Sequence, residues 1–415
     1  MRAIVLAVSA CAFVGVSGAW AADWSLRSTQ SETVEFNNNQ FLNPTPPGGV
    51  VSSYSSITGN AQARTASSKF DFDSYVNYRK YGGPGAEGVS QTESLAYGFT
   101  GLYETYGKNS SDRNFIGASY SSQSSAFALL NELALLTNVQ GALNQVSVRG
   151  GFDRAISARD TVSVSAQSSR TFYDPSGGGT VFNDTSATGS WQHRYNSRIG
   201  FSLTSQAEWL TYENALNTSV MILRNQAGVD VAISPLLSFR GNAGAAYISV
   251  ENGTNVLSSI GGLGSTNSAA SSDLGFIMDL LLTYRALKAT TFTLSATKSV
   301  GPTVVGSLFE TETIRAGMTH LINAKSSLSL SADLSRSTST NVTDFGSASA
   351  TYSHELTRDL NAQITYRHLH RFAGSGLATI DPITGTPILS GSGPADSDSI
   401  MVVVSKNVTI LPPGR

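Results

Sequence analysis

Ser327-Leu328-Ser329-Leu330-Ser331-Ala332-Asp333-Leu334-Ser335 alternates apolar and polar residues without a break. Successive side chains of a β-strand point to opposite faces. Leu328, Leu330, Ala332 and Leu334 therefore share one face, and the serines and Asp333 share the other. The same alternation recurs in about eighteen segments of the chain. These lie near 24–36, 54–65, 69–81, 92–106, 113–126, 140–155, 160–173, 185–195, 200–213, 220–233, 237–250, 273–285, 290–302, 309–322, 326–339, 344–356, 360–373 and 397–408. In a soluble sandwich each greasy face would meet a core. Repeated this often, behind an export signal, it points to lipid, with the polar face lining a water-filled barrel.

The connectors sort by length. Short links recur at Ala66-Ser67-Ser68, Ser157-Ala158-Arg159, Asn196-Ser197-Arg198, Ser234-Pro235-Leu236, Ala286-Leu287-Lys288-Ala289, Asn323-Ala324-Lys325 and Thr357-Arg358-Asp359. Longer links largely alternate with them, the longest being 37–53, 251–272 and 374–396, rich in Gly, Pro, Ser and Asn. An up-and-down barrel has tight turns at its periplasmic rim and longer loops at the other. A sandwich has no reason to sort its loops by parity. The fold class expected is all-β: a transmembrane antiparallel up-and-down β-barrel of about 18 strands, or about 16 on a stricter count, with both termini in the periplasm.

Composition agrees. Charged residues make up 13% of the chain, against roughly 25% in globular domains. The mean hydropathy is nonetheless only -0.05, because serine, threonine, glycine and asparagine fill the gap. That mixture suits a barrel with a polar lumen. The net charge of -2 carries no nucleic-acid signal.

Residues 1–21 read as a cleaved secretory signal, leaving 22–415 as a single barrel domain. Arg2 supplies the positive start, Ala3 to Val16 the apolar stretch, and Ala19-Trp20-Ala21 the small-x-small cleavage pattern. The alternative is a membrane anchor, for which the stretch is too short. Cys11, the single cysteine, lies inside this segment, so the mature chain is expected to have no disulfide. Val8-Ser9-Ala10-Cys11 has the look of a lipoprotein box, but the residues after Cys11 stay apolar.

Strand parity assigns the faces. Tyr103, Phe152, Trp191, Tyr195, Phe201, Phe239, Tyr284, Phe292 and Tyr352 form one expected aromatic girdle. Phe172, Trp209, Tyr247, Phe345 and Phe372 form the other. Amphipathic rings favour the two headgroup levels. The opposite parity carries the candidate lumen-lining residues: Arg149, Arg194, Arg224, Arg240, Arg285, Arg315, Arg367, Asp230, Asp279, Asp333, Glu208 and Glu355. Arg79, Asp71, Asp73, Asp153 and Glu104 share it. A basic side chain on the lipid face at mid-depth costs about 2–4 kcal/mol, which favours the inward assignment. Two roles stay open for these charges: cross-strand braces of the wall, or direct contact with what passes.

Ala126-Phe127-Ala128-Leu129-Leu130-Asn131-Glu132-Leu133-Ala134-Leu135-Leu136 is the greasiest connector. Exposed, it would be a liability. One expectation is that it folds inward and narrows the pore; the alternatives are an extended strand pair above the membrane or packing against neighbouring loops.

No chemistry-bearing constellation appears. His193, His320 and His354 sit just before short turns on the lipid-facing parity, and His368 and His370 share one face of their strand. The positions of His193, His320 and His354 suit interfacial anchors better than catalytic bases, and no Ser–His–acid set stands out. No metal-ligand spacing or nucleotide motif is present, so neither enzyme activity nor a cofactor is expected.

Ser31-Glu32-Thr33-Val34-Glu35-Phe36-Asn37-Asn38-Asn39, the Tyr54-to-Arg64 strand and Tyr75-Val76-Asn77-Tyr78 together resemble the beta-barrel porin 2 family of Gram-negative outer-membrane proteins. The resemblance implies a single-domain outer-membrane barrel, linked in some members to exopolysaccharide export, and carries no catalytic residues. Outer-membrane lipid, a hydrophilic solute or polysaccharide, and periplasmic export or assembly components are the partners to expect. The function expected is a channel without catalysis. The alternatives are a general diffusion porin or a plugged structural or surface-interaction barrel.

Overall fold

The structure is a computed structural model of the 415-residue chain. It describes residues 22–412 except 41, 43, 47, 87–91, 108–111, 125–140, 175–180, 214–216, 252–269, 303–307, 339–341, 373–378, 381–386 and 389–392. The export signal and the apolar connector 126–136 lie outside the described residues.

Eighteen strands form one sheet that closes on itself. In chain order they are β1 (Asp23–Asn37), β2 (Val50–Arg64), β3 (Ser68–Gly82), β4 (Glu93–Tyr106), β5 (Arg113–Ser124) and β6 (Ala142–Ala155). Then come β7 (Asp160–Tyr173), β8 (Phe182–Arg194), β9 (Ile199–Tyr212), β10 (Ser219–Ala232), β11 (Leu237–Glu251) and β12 (Ala270–Leu287). The rest are β13 (Thr290–Pro302), β14 (Leu308–Asn323), β15 (Ser326–Thr338), β16 (Val342–Thr357), β17 (Leu360–Arg371) and β20 (Ala395–Leu411). A two-residue ribbon, β18 (Thr379–Ile380) with β19 (Pro387–Ile388), intervenes before the last strand. Every ladder is antiparallel between chain neighbours, and β1 pairs with β20 from Leu26↔Leu411 to Asn37↔Ser399 to seal the seam. Closure gives each of the eighteen strands two neighbours, so the sheet has no edge strand, the condition for a sheet to cross lipid.

The turn chemistry explains the sorted connectors. Asn196 Oδ1 accepts from the N–H groups of Arg198 and Ile199 at 2.7 and 2.9 Å. Ser157 Oγ accepts from Arg159 and Asp160, both at 3.0 Å, and Ser234 Oγ accepts from Leu236 and Leu237 at 3.2 and 3.0 Å. Such side chains replace the backbone partners that a tight turn withholds. Both barrel termini lie at this short-turn rim, since β1 starts there and β20 ends there.

The wall is greasy outside. Leu330 and Leu334 of the quoted ladder are exposed, as are Ile314, Ile364, Leu203 and Val148 on other strands. An apolar band of this extent exceeds what a soluble surface carries and fits lipid. Thirteen-residue β8 is about 44 Å long, and at a tilt of about 45° it rises about 30 Å, the hydrocarbon thickness. Toward the loop rim the same parity turns to ion pairs: Lys80–Glu93 at 2.6 Å, Arg170–Glu213 at 2.9 Å and Arg336–Asp344 at 2.8 Å. The change marks where the wall leaves hydrocarbon for water.

Most girdle aromatics stand exposed on the outer face, among them Tyr103, Trp191, Tyr284, Trp209 and Phe372. Phe345 is a correction. It is only 7% exposed and packs with Leu42 and Ala395 on the inner side. Gly346, opposite outward Leu334, takes the lipid-facing position there, so parity turns Phe345 inward.

Candidate functional site

The inner face of the barrel is the candidate site. It is built by the strand positions that alternate with the exposed apolar side chains, and polar partners cross it from strand to strand. Asp333 faces Arg315 directly in register and accepts from Ser347 Oγ at 2.7 Å. Arg240 faces Asp230 and pairs with it at 2.5 Å, with both side chains more than half exposed. Asp279 lies opposite Asn242, one strand further on. Arg224 pairs with Glu208 across β9–β10. Arg367 reaches Glu35 at 3.3 Å.

The remaining candidates are more dispersed. Arg149 lies opposite Gln167, Arg194 opposite Gly200, Arg285 opposite Thr291, and Glu355 opposite Asn361. Among the described residues none of these four makes an ion pair.

Two charge networks escaped the sequence reading in part. Glu35, 5% exposed on β1, is held between Arg79 of β3 at 3.7 Å and Arg367 of β17 at 3.3 Å. It ties together strands on both sides of the seam. At the short-turn rim, Arg113 bridges Glu104 and Asp153, both at 2.8 Å, with Lys69 on Asp71 nearby at 2.7 Å. Parity on β1 would have turned Glu35 inward beside Val34 and Phe36. The signal was blurred because Gln30 and Glu32 occupy the opposite, lipid-facing parity of the same strand.

Polarity inverts at the loop rim. Where the outer face acquires ion pairs, the inner face acquires apolar clusters. One joins Phe182, Leu210, Tyr212, Val220, Ile222, Ala246, Ile248, Val250, Ile277 and Val300. A second sets Ala86, in the 3-10 turn Pro84–Ala86, on Val50 and Tyr81. A third sets Leu42, from the β1–β2 connector, on Phe345 and Ala395. Side chains on the inside of a wide, water-filled barrel would be wet. Leu210, Ile222 and Ile248 are 0% exposed, so protein packs against them at this rim.

Three of the five histidines form a repeated clamp. Asp160 contacts His193 Nδ1, Thr290 contacts His320 Nδ1, and Ser326 contacts His354 Nδ1, each at 2.8 Å. In every case the partner is the first residue of a strand, and the histidine lies directly opposite on the next. A carboxylate and two different hydroxyls serve alike. Interchangeable partners at a repeated rim position indicate a structural tie. No Ser–His–acid set and no cluster of metal-ligating side chains occurs among the described residues.

These features define a transmembrane antiparallel up-and-down β-barrel with a charged inner wall. No family model matches the chain. No curated protein matches it either. Among solved structures, it is similar to the FrpB iron transporter of Neisseria meningitidis in its apoprotein form, with a TM-score of 0.50 at 7% identity over 93% of this chain and 81% of that one. OccAB2 of Acinetobacter baumannii aligns at a TM-score of 0.48 and 8% identity, over 93% of this chain and 98% of that one. The copper transporter OprC aligns at 0.48 and 8%, over 93% and 81%. At such identities the FrpB likeness is one of fold.

Proposed function

We propose that this protein is an outer-membrane channel that passes a hydrophilic solute or glycan without catalysis. The observation that carries the reading is the closed eighteen-strand wall with apolar side chains outside and Arg, Asp and Glu inside. Inward charges of both signs keep the lumen hydrated and give weak ion selectivity, because opposite fields alternate along the path. The paired residues Arg240–Asp230 and Arg224–Glu208 brace the wall. Arg149, Arg194 and Arg285 are the cations that face the cargo. Exopolysaccharide export is the finer form of this reading, and it rests on the resemblance of residues 31–39 and 54–64.

The apolar clusters at the loop rim favour a second reading, a barrel plugged at its mouth. Planar-bilayer conductance of the refolded protein separates the two. A steady single-channel current supports the channel. Silence from folded, membrane-inserted protein leaves the plugged barrel. Recovery in the outer-membrane fraction of a Gram-negative host tests the localisation.

A further inference from the structure

One strand end does not stay in the wall. The β12–β13 ladder runs from Leu287↔Thr290 to Met278↔Lys298 and stops. Beyond that point β12 continues to Ala270 paired with β11 alone, while β13 continues to Pro302 paired with β14 alone. Val300 shares the parity of Phe292 and Leu294, which are 40% and 48% exposed on the outer face. Val300 itself is 3% exposed and lies in one cluster with Leu210, Ile222, Ala246 and Ile248, all of inner-face parity. Its Cγ2 is 3.9 Å from where a Cβ on Gly275 would sit, and Gly275 is on the inner face of β12. Arg224, on the inner face of β10, donates from Nη2 to the Val300 carbonyl at 2.7 Å. A residue of outer parity can meet inner-face residues of β9 to β12 only if its strand end crosses the inside of the wall.

We propose that the in-turned end of β13 forms a strap over the inner face of β10 to β12, and that this strap sets the size limit of the pore. The inference rests on the channel reading. Three contacts hold the strap. Val300 fills the apolar cluster, where its burial removes it from water on both sides. Gly275, having no side chain, leaves the seat for it. Arg224, itself fixed by Glu208, caps the Val300 carbonyl, which has left the β12 ladder and needs a donor. The strap is the part of the wall that has given up one neighbouring strand, so it is the part that can be displaced without opening the barrel.

The test uses the full-length barrel and two variants. Val300→Asp places a charge in the apolar seat and should expel the strap. Gly275→Cys with Val300→Cys should form a disulfide that fixes it, since the described residues hold no native cysteine. Single-channel conductance and liposome uptake of sugars of graded length are measured for each. Val300→Asp is expected to raise conductance roughly twofold or more and to admit longer sugars. The oxidised double variant is expected to keep the wild-type values, with the bond seen as a reducible gel shift. Current through Val300→Asp but not through wild type overturns the strap as a size limit, because the wild-type barrel is then plugged. A folded Val300→Asp barrel with wild-type conductance and sugar cutoff overturns it. So does a cysteine pair that fails to bridge, a readout independent of how Val300→Asp folds. Silence from both wild type and Val300→Asp removes the channel reading, and the strap with it.

Discussion

Replacing Glu35 by glutamine removes one carboxylate from between two guanidinium groups. The side chain of Glu35 is 7% exposed, while those of Arg79 and Arg367 are 24% and 48% exposed. Breaking a fully buried pair costs about 3–5 kcal/mol, because the orphaned charge stays dry. Breaking an exposed pair costs about 0–1 kcal/mol. Here the carboxylate is dry and its partners are partly wet, so both arginines can regain water. The expected loss lies between the limits, at about 2 kcal/mol. The location adds weight: Glu35 on β1 links β3 to β17, so it braces the seam where the sheet closes. Denaturant unfolding in lipid vesicles, followed by heat-modifiable mobility, measures the change. Glu35→Asp keeps the charge and should lose less than Glu35→Gln. The substitution also adds one net positive charge to the inner wall, so reversal potentials in a salt gradient should move toward anions. If Glu35→Gln unfolds within about 0.5 kcal/mol of wild type and leaves the reversal potential unchanged, the network neither braces the seam nor faces the pathway.

Glu32 is exposed on the outer parity between Val34 and Val404, with Ser55 Oγ donating to it at 2.6 Å. Glu32→Leu should stabilise the inserted barrel by about 1 kcal/mol in the same titration, since lipid then meets an apolar side chain; a loss of stability would mean that Glu32 does not face lipid. His354→Ala should cost about 1 kcal/mol through the lost Ser326 bond and leave transport intact; lost transport at unchanged stability would contradict the structural-tie assignment. Arg240→Glu, beside Asp230 and with both side chains more than half exposed, should shift ion preference toward cations while changing stability by only about 0–1 kcal/mol. An unmoved reversal potential would place that pair off the conduction path.

The alternation in Ser327–Ser335 was enough to assign faces because a strand has a period of two and the barrel allows only two destinations, lipid or lumen. The connectors were legible because short Ser and Asn turns close hairpins by local hydrogen bonds, as at Ser157, Asn196 and Ser234. The strand count followed from the same local rules. Pairings more than one strand apart did not. Nothing in the sequence near Glu35 indicates that arginines some 40 positions later and more than 300 positions later converge on it from opposite sides. Closure of the sheet brings them together, and closure is a property of the whole chain.

Parity also misled where the wall ends. Phe345 was assigned to the lipid face and lies inside, and Val300 has lipid-facing parity yet is buried on the lumen side. The sequence by itself determined a two-faced wall, because hydration of alternate side chains is decided residue by residue. Only the tertiary structure decided what happens at the loop rim. There β13 parts from β12, the wall exchanges lipid for water on its outside, and the apolar side chains that remain find burial by packing inward across the mouth.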